Sequence, residues 1–417
     1  MIRLRRRNPT SDQQENGKLN KKMTSPLKRV RFYALIIFVF LFQAIPVTGA
    51  ETLTRIQVPG SLSPGLAHLL DLGDPEGQHA FQPDKIVKLL EFVKAPKDPD
   101  AMYFADPKLG SPSAYFDFDI RQHFDHILKY TFNPNVPNYL TSPSSTRLSR
   151  WKQVQGSGKH LPVLWDFLDG LDTPVIVRGI EFVENTPDIS SGAYYSYHLY
   201  RTLILFKANN RKVIISISKQ KGKSDVGKKG YVLGSDDNWD YFYSGKPGLA
   251  KPGLGWVRSH MYDSYGINIY YEMDPYTPVV RFAAFKWIRA GWSKINVVKK
   301  YHIHTGIKRF AKSFKQIMEY PSLPGIDAFS EAYSKINALS DDELKEKIKI
   351  YLDILENRYG RDYRPPRAWS PQVFKDRSPW FQMSTEAMQS VLMVEFMKQA
   401  MGKSDANMVV ALLDPSK

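Results

Sequence analysis

Asp117, Asp119, His123, Asp125 and His126 fall within ten residues and form the densest group of potential metal ligands in the chain. His123 and His126 are three apart, so a helix would place them on neighbouring positions of one face. Those two imidazoles and the Asp119 carboxylate could hold a divalent metal in a nitrogen and oxygen shell. Asp119 has a competing use as a helix N-cap, with Gln122 at capping-box spacing, and Asp125 would face away from His123. Structural roles are therefore expected here, with no metal and no other cofactor. Asp236, Asn238 and Asp240 alternate like the opening ligands of an EF-hand loop. Tyr241 stands where that loop needs glycine, and no closing glutamate follows.

Tyr262-Asp263-Ser264-Tyr265-Gly266 supplies only the second half of Gly-x-Ser-x-Gly, and it lies between strands rather than at a strand-to-helix elbow. Gly156-Ser157-Gly158-Lys159 resembles the end of a phosphate loop, but His160 replaces the required hydroxyl residue. The chain has no cysteine, which removes disulfides, thiolate metal sites and cysteine nucleophiles. A hydrolase built on this sequence would have to assemble His123, His126, Asp263 and Ser264 from distant positions. That is the alternative to a non-catalytic protein.

Charge is more informative. Residues 275–318 hold ten Lys or Arg and no Asp or Glu, interleaved with Trp287 and Trp292. On a helix, Lys308, Arg309, Lys312 and Lys315 turn away from Phe310, Phe314 and Ile317. Tryptophan and basic residues together suit a lipid headgroup boundary. The expected partner is an anionic lipid or amphiphile, with peripheral membrane contact. The competing expectation is a solvated basic face paired with the acidic residues of 327–356.

The address also reads from residue types. Lys28-Arg29-Val30-Arg31 precedes an apolar run over 32–45, broken only by Gln43, and small residues end the segment at Gly49-Ala50. A basic start, a short apolar stretch and a small-residue cleavage site describe a signal peptide over 23–50. The run is too short to span a bilayer comfortably. Residues 1–22 are polar and basic and are expected to be disordered or an upstream start-site artefact. Cleavage near Ala50 would deliver the protein to a periplasmic or cell-envelope location, where nucleic acid is not an expected partner.

The elements that must position these residues follow from periodicity. With 417 residues, the chain has room for two or three domains. Residues 51–174 are proline-rich and irregular, with short helices over 84–93 and 119–130. Period-two patterning then predicts strands over 175–183, 194–207, 211–219, 239–243, 256–262, 265–273 and 279–288. Asn209-Asn210 tolerates the positive φ of a tight hairpin. That turn would oppose Phe206 to Val213, Ile204 to Ile215 and Thr202 to Ile217. The tandem Lys246-Pro-Gly-Leu-Ala and Lys251-Pro-Gly-Leu-Gly is expected to be a loop. Helices are expected over 305–320 with Thr305 as cap, over 327–339, from a Ser340 capping box to Gly360, and over 384–401. A proline-rich link over 364–379 precedes the last helix, whose Met388, Met393, Met397 and Met401 are expected in the core, with a partner-binding face as the alternative.

The fold class is therefore α+β. A central antiparallel meander over 175–320 follows an irregular N-terminal region, and helices of the C-terminal region, 321–417, cover it. A long helix over a curved sheet could enclose an apolar pocket. The function expected from these features is that of an exported, non-catalytic envelope protein that binds a lipid-like or other anionic amphiphile at or near a membrane.

Overall fold

The computed structural model describes residues 53–75, 80–251, 255–360 and 373–404. The expected signal segment, the second Pro-Gly step of the tandem repeat and most of the proline-rich link lie outside the described residues.

Strands β1 (Thr54–Gln57), β2 (Ala101–Phe104), β3 (Ser113–Ile120), β4 (Thr146–Val154), β5 (Val175–Asn185), β6 (Ala193–Tyr194), β7 (Ser196–Ala208) and β8 (Arg211–Gln220) are followed by β9 (Lys228–Val232) and β10 (Tyr241–Pro247). The remaining strands are β11 (Leu249–Lys251), β12 (Gly255–Val257), β13 (His260–Asp274), β14 (Val279–Trp292) and β15 (Ile295–Asn296). The main sheet has ten strands in the order β1-β2-β3-β14-β13-β8-β7-β5-β4, with β15 beside β14. Among the described residues only β1 and β2 pair in parallel in this sheet. The protein is α+β with a mostly antiparallel sheet, as its patterning requires.

Its centre is the expected hairpin. Asn209 and Asn210 have φ of 50° and 61°, the left-handed pair that joins twisted strands through a two-residue turn. The register opposes Phe206 to Val213, Ile204 to Ile215 and Thr202 to Ile217. Because side chains alternate, this register sorts the sheet into two unlike faces. One face carries Ile204, Phe206, Val213, Ile215, Ile217, Ile267, Ile269 and Phe285. Helices α1 (Ser63–Leu72) and α2 (Val87–Lys94) bury it through Leu66, Leu69, Leu89 and Val93. The other face meets α3 (Phe124–Thr131), α4 (Lys300–Met318), α5 (Ile326–Asn337), α6 (Asp341–Tyr359), α7 (Ser378–Phe381) and α8 (Thr385–Ala400). Helix α4 lies over β3 and β14, and α8 reaches β4.

Several boundaries differ from expectation. The N-terminal region supplies four strands and the whole cover of one face, so it is more ordered than its prolines suggest. Asp119 caps no helix: β3 runs to Ile120, where Asp119 pairs across the sheet with Arg281, and α3 starts only after His123. Two charge-assisted bonds to a guanidinium outweigh one capping bond. Helix α4 begins before Thr305, because the Lys299 N–H donates to His302 Nδ1 at 3.1 Å and satisfies the first turn. Trp239 adopts a left-handed φ of 57° after a 3-10 turn, which delays β10 to Tyr241. The strands expected over 256–262 and 265–273 partly merge in β13, with a register shift between Met261 and Asp263.

The capping box at Ser340 is formed, with the Ser340 N–H donating to Glu343 Oε2 at 2.8 Å. Ser384 caps α8, and Met388, Met393, Met397 and Met401 are all buried. The methionines are core residues, and they present no free partner-binding face.

Candidate functional site

The helix-covered face of the central strands departs from an apolar pattern where no helix sits directly on it. Reading across the sheet, Gly179 on β5 opposes Arg201 on β7, Arg201 opposes Ser218 on β8, Ser218 opposes Gly266 on β13, and Gly266 opposes Lys286 on β14. The adjacent row places Ser216 opposite Asn268. Arg201, Ser216, Ser218, Gly266, Asn268 and Lys286 floor a cavity of about 760 Å³, which lies in the size range of small-molecule sites. Phe310 and Phe314 of α4, Phe132, Val136 and Leu161 supply apolar wall, and Tyr270 and Leu203 continue it on the sheet. Exposed Asn135, Lys159, His160, Ser334 and Asn337 mark its solvent side.

Charge on the floor is unevenly committed. Arg201 donates from Nε to Glu181 Oε2 at 2.8 Å, from Nη2 to the same oxygen at 2.5 Å, and from Nη1 to Ser216 Oγ at 3.0 Å. Glu181, only 1% exposed, also accepts from Ser149 and from Asn138 Nδ2. Arg201 is therefore spent inside the protein. Lys286 is different. It keeps partial exposure, as a cavity-lining side chain does, and no hydrogen bond or ion pair to it is found among the described residues. Desolvation, with a smaller repulsion from Arg201, pulls its ammonium below the usual lysine range.

Two phenols complete the lining. Burial raises the Tyr197 hydroxyl to about 12 and pushes that of Tyr270 up as well, so both remain neutral donors. Gly266 is the gap in the floor. Its backbone needs no glycine for positive φ, and a Cβ there would stand 2.9 Å from Ser218 Oγ. Glycine in a central strand weakens it, and one of its uses is to leave room for a ligand.

The expected site residues lie elsewhere. Asp119 is committed to Arg281, His126 stacks on Tyr130 at a centroid distance of 4.3 Å, and His123 is exposed at the start of α3. Among the described residues no group of three His, Asp or Glu is placed to hold a metal. Asp236 and Asp240 do not converge on a cation site: Asp236 binds Arg309, and Asp240 binds Lys398, Arg358 and Tyr359. Ser264 does line the cavity, but Asp263 is turned outward to Arg289, and no histidine bonds to Ser264 among the described residues. The four residues of the hydrolase alternative do not assemble.

Three of the four basic residues expected on the outer face of α4 are neutralised. Arg309 forms two 2.6 Å bonds to Asp236, Lys312 pairs with Asp237 at 2.5 Å, and Lys315 meets Glu319 at 3.4 Å. Lys308 is exposed, with Nζ 5.7 Å from the Phe116 ring centre. Trp287 is buried on the opposite face and donates to the Asp106 carbonyl at 2.8 Å. Trp292 is half-buried near the end of β14. The acidic partners come from residues 236–237 and 319, not from the 327–356 stretch. Among the described residues no helix is long and apolar enough to cross a membrane.

Comparison with protein-family models, with curated proteins and with solved structures gave no match for this chain. The cavity's own geometry carries the functional argument. Lys286 was readable as one member of the basic run. The sharper signal was its place in Val280, Phe282, Ala284, Lys286, Ile288, where alternation puts a lysine on an otherwise inward-facing apolar stripe.

Proposed function

We propose that the protein is an exported, non-catalytic binder of a lipid-like amphiphile, which it holds in the cavity between the sheet and the covering helices, at or near a membrane. The observation that carries this reading is the cavity itself: about 760 Å³, with Phe132, Val136, Leu161, Phe310 and Phe314 as apolar wall, and polar side chains on its floor and around its mouth. Apolar walls with a few convergent polar groups are the usual construction of a small-molecule site. Export rests on the basic, apolar and small-residue order of 28–50.

Organic extraction of the purified protein, followed by mass spectrometry, is the direct test. The expected result is one class of amphiphile at near-equimolar yield, lost when Ser216→Trp fills the floor. An extract free of amphiphiles, from protein that also fails to bind added ones, refutes the proposal.

A further inference from the structure

We infer that the ligand carries a single carboxylate as its head, and that the Lys286 ammonium receives it above Gly266. The inference rests on the amphiphile-binding reading and goes further by naming the head group and its receptor. Three observations carry it.

First, Lys286 lacks an acceptor among the described residues, although it stands on a sheet face where its neighbours along β14 are Ala284 and Ile288. An enclosed charge without a partner is costly, and such groups are normally paired. A ligand anion removes that cost. Second, the strand position opposite Lys286 is Gly266, so no side chain stands there, and Ser218 Oγ lies 2.9 Å from where a Cβ would be. Ser218 and Asn268 border the gap and bring a hydroxyl and an amide to the same place. A carboxylate has two oxygens, enough to accept from the ammonium and from one of these neighbours.

Third, the floor limits the head to one negative charge. The other cation of this row, Arg201, is already bonded to Glu181 and Ser216, and the Glu181 carboxylate shares the cavity. A phosphomonoester dianion would bring a second charge with no second uncommitted cation on that floor, since Lys159 stands at the solvent side, and a carboxylate on the same floor would repel it.

The experiment is displacement of N-phenyl-1-naphthylamine, a neutral fluorescent probe, from the purified full chain. The competitors share one chain length: dodecanoate, dodecyl phosphate and dodecanol. Dodecanoate should displace the probe about tenfold or more better than dodecanol, as a charge-assisted bond in an enclosed site implies, and better than dodecyl phosphate. Lys286→Met should abolish the preference while leaving dodecanol unchanged, and Lys286→Arg should retain most of it. Removal of an unpaired cation should not lower the unfolding midpoint of Lys286→Met, so loss of preference there is not loss of fold. If the probe and all three competitors fail to bind, the amphiphile reading falls and this inference with it. If they bind without regard to head group, or Lys286→Met keeps the preference, the cavity reading stands and the carboxylate assignment is overturned. Tighter binding of dodecyl phosphate overturns the limit to one charge.

Discussion

Breaking the Arg201–Glu181 pair one side at a time tests how the cavity floor is held. Opposite charges at the 2.5–2.8 Å separations seen here attract by about 6 kcal/mol at an effective dielectric of about 20. Desolvation costs several kcal/mol per ion, so the intact pair contributes little net stability. The asymmetry appears in the single variants. Arg201→Met leaves a carboxylate that is 1% exposed and retains only Ser149 and Asn138, and it should cost about 3–5 kcal/mol. Glu181→Gln leaves a guanidinium with 16% side-chain exposure and the Ser216 bond, so about 2–3 kcal/mol is expected. Replacing both residues with Met and Leu should cost far less than the two losses combined, because no charge is left unpaired. Urea midpoints at pH 7 give all three values. Glu181→Gln should also release Arg201 as a second available cation and raise affinity for dodecyl phosphate relative to dodecanoate. A double variant as unstable as the two single losses added together would refute the pairing argument, as would Arg201→Met within about 1 kcal/mol of wild type.

Two further outcomes follow from the packing. Phe206 is 2% exposed, opposes fully buried Val213 and meets the Phe81 ring edge-on at 4.9 Å, so Phe206→Ala should cost about 3–5 kcal/mol in denaturant unfolding; an unchanged midpoint would show that the face is not a core. His304 is 2% exposed against Phe116, and burial lowers its pKa to about 4. The unfolded chain then binds more protons than the folded one between about 4 and the ordinary imidazole value of 6.5, so stability should fall as pH drops through that window. His304→Leu should flatten the fall, and equal pH slopes for variant and wild type would contradict it.

The central sheet was legible because its register follows from two local facts. An Asn-Asn pair tolerates left-handed backbone, and a one-residue slip would have turned Phe206 and Ile204 to the wrong face. The covering helices were legible for similar reasons: the Ser340 box and the Ser384 cap satisfy orphan N–H groups locally. The N-terminal strands were hidden because their partners are distant. Strand β3 exists through pairing with β14, about 160 residues away, and Asp119 serves that partnership instead of a nearby helix. Local capping chemistry read the same aspartate as a helix cap, because it could not weigh a guanidinium brought from so far.

The site was obscured for a related reason. Counting charge along 275–318 treats ten cations as one population, whereas a strand divides them by face every second residue. On β14, Arg281 and Arg289 fall on the face opposite Lys286, and each finds a carboxylate, Asp119 and Asp263 respectively. On α4, Arg309, Lys312 and Lys315 find Asp236, Asp237 and Glu319. Five of the ten cations are thus paired with carboxylates, four of those partners being distant in sequence. Lys286 is left on the inward face, opposite a glycine and above a cavity. Net charge would rank all ten alike; only alternation combined with pairing separates the cation that stabilises the fold from the one available to a ligand.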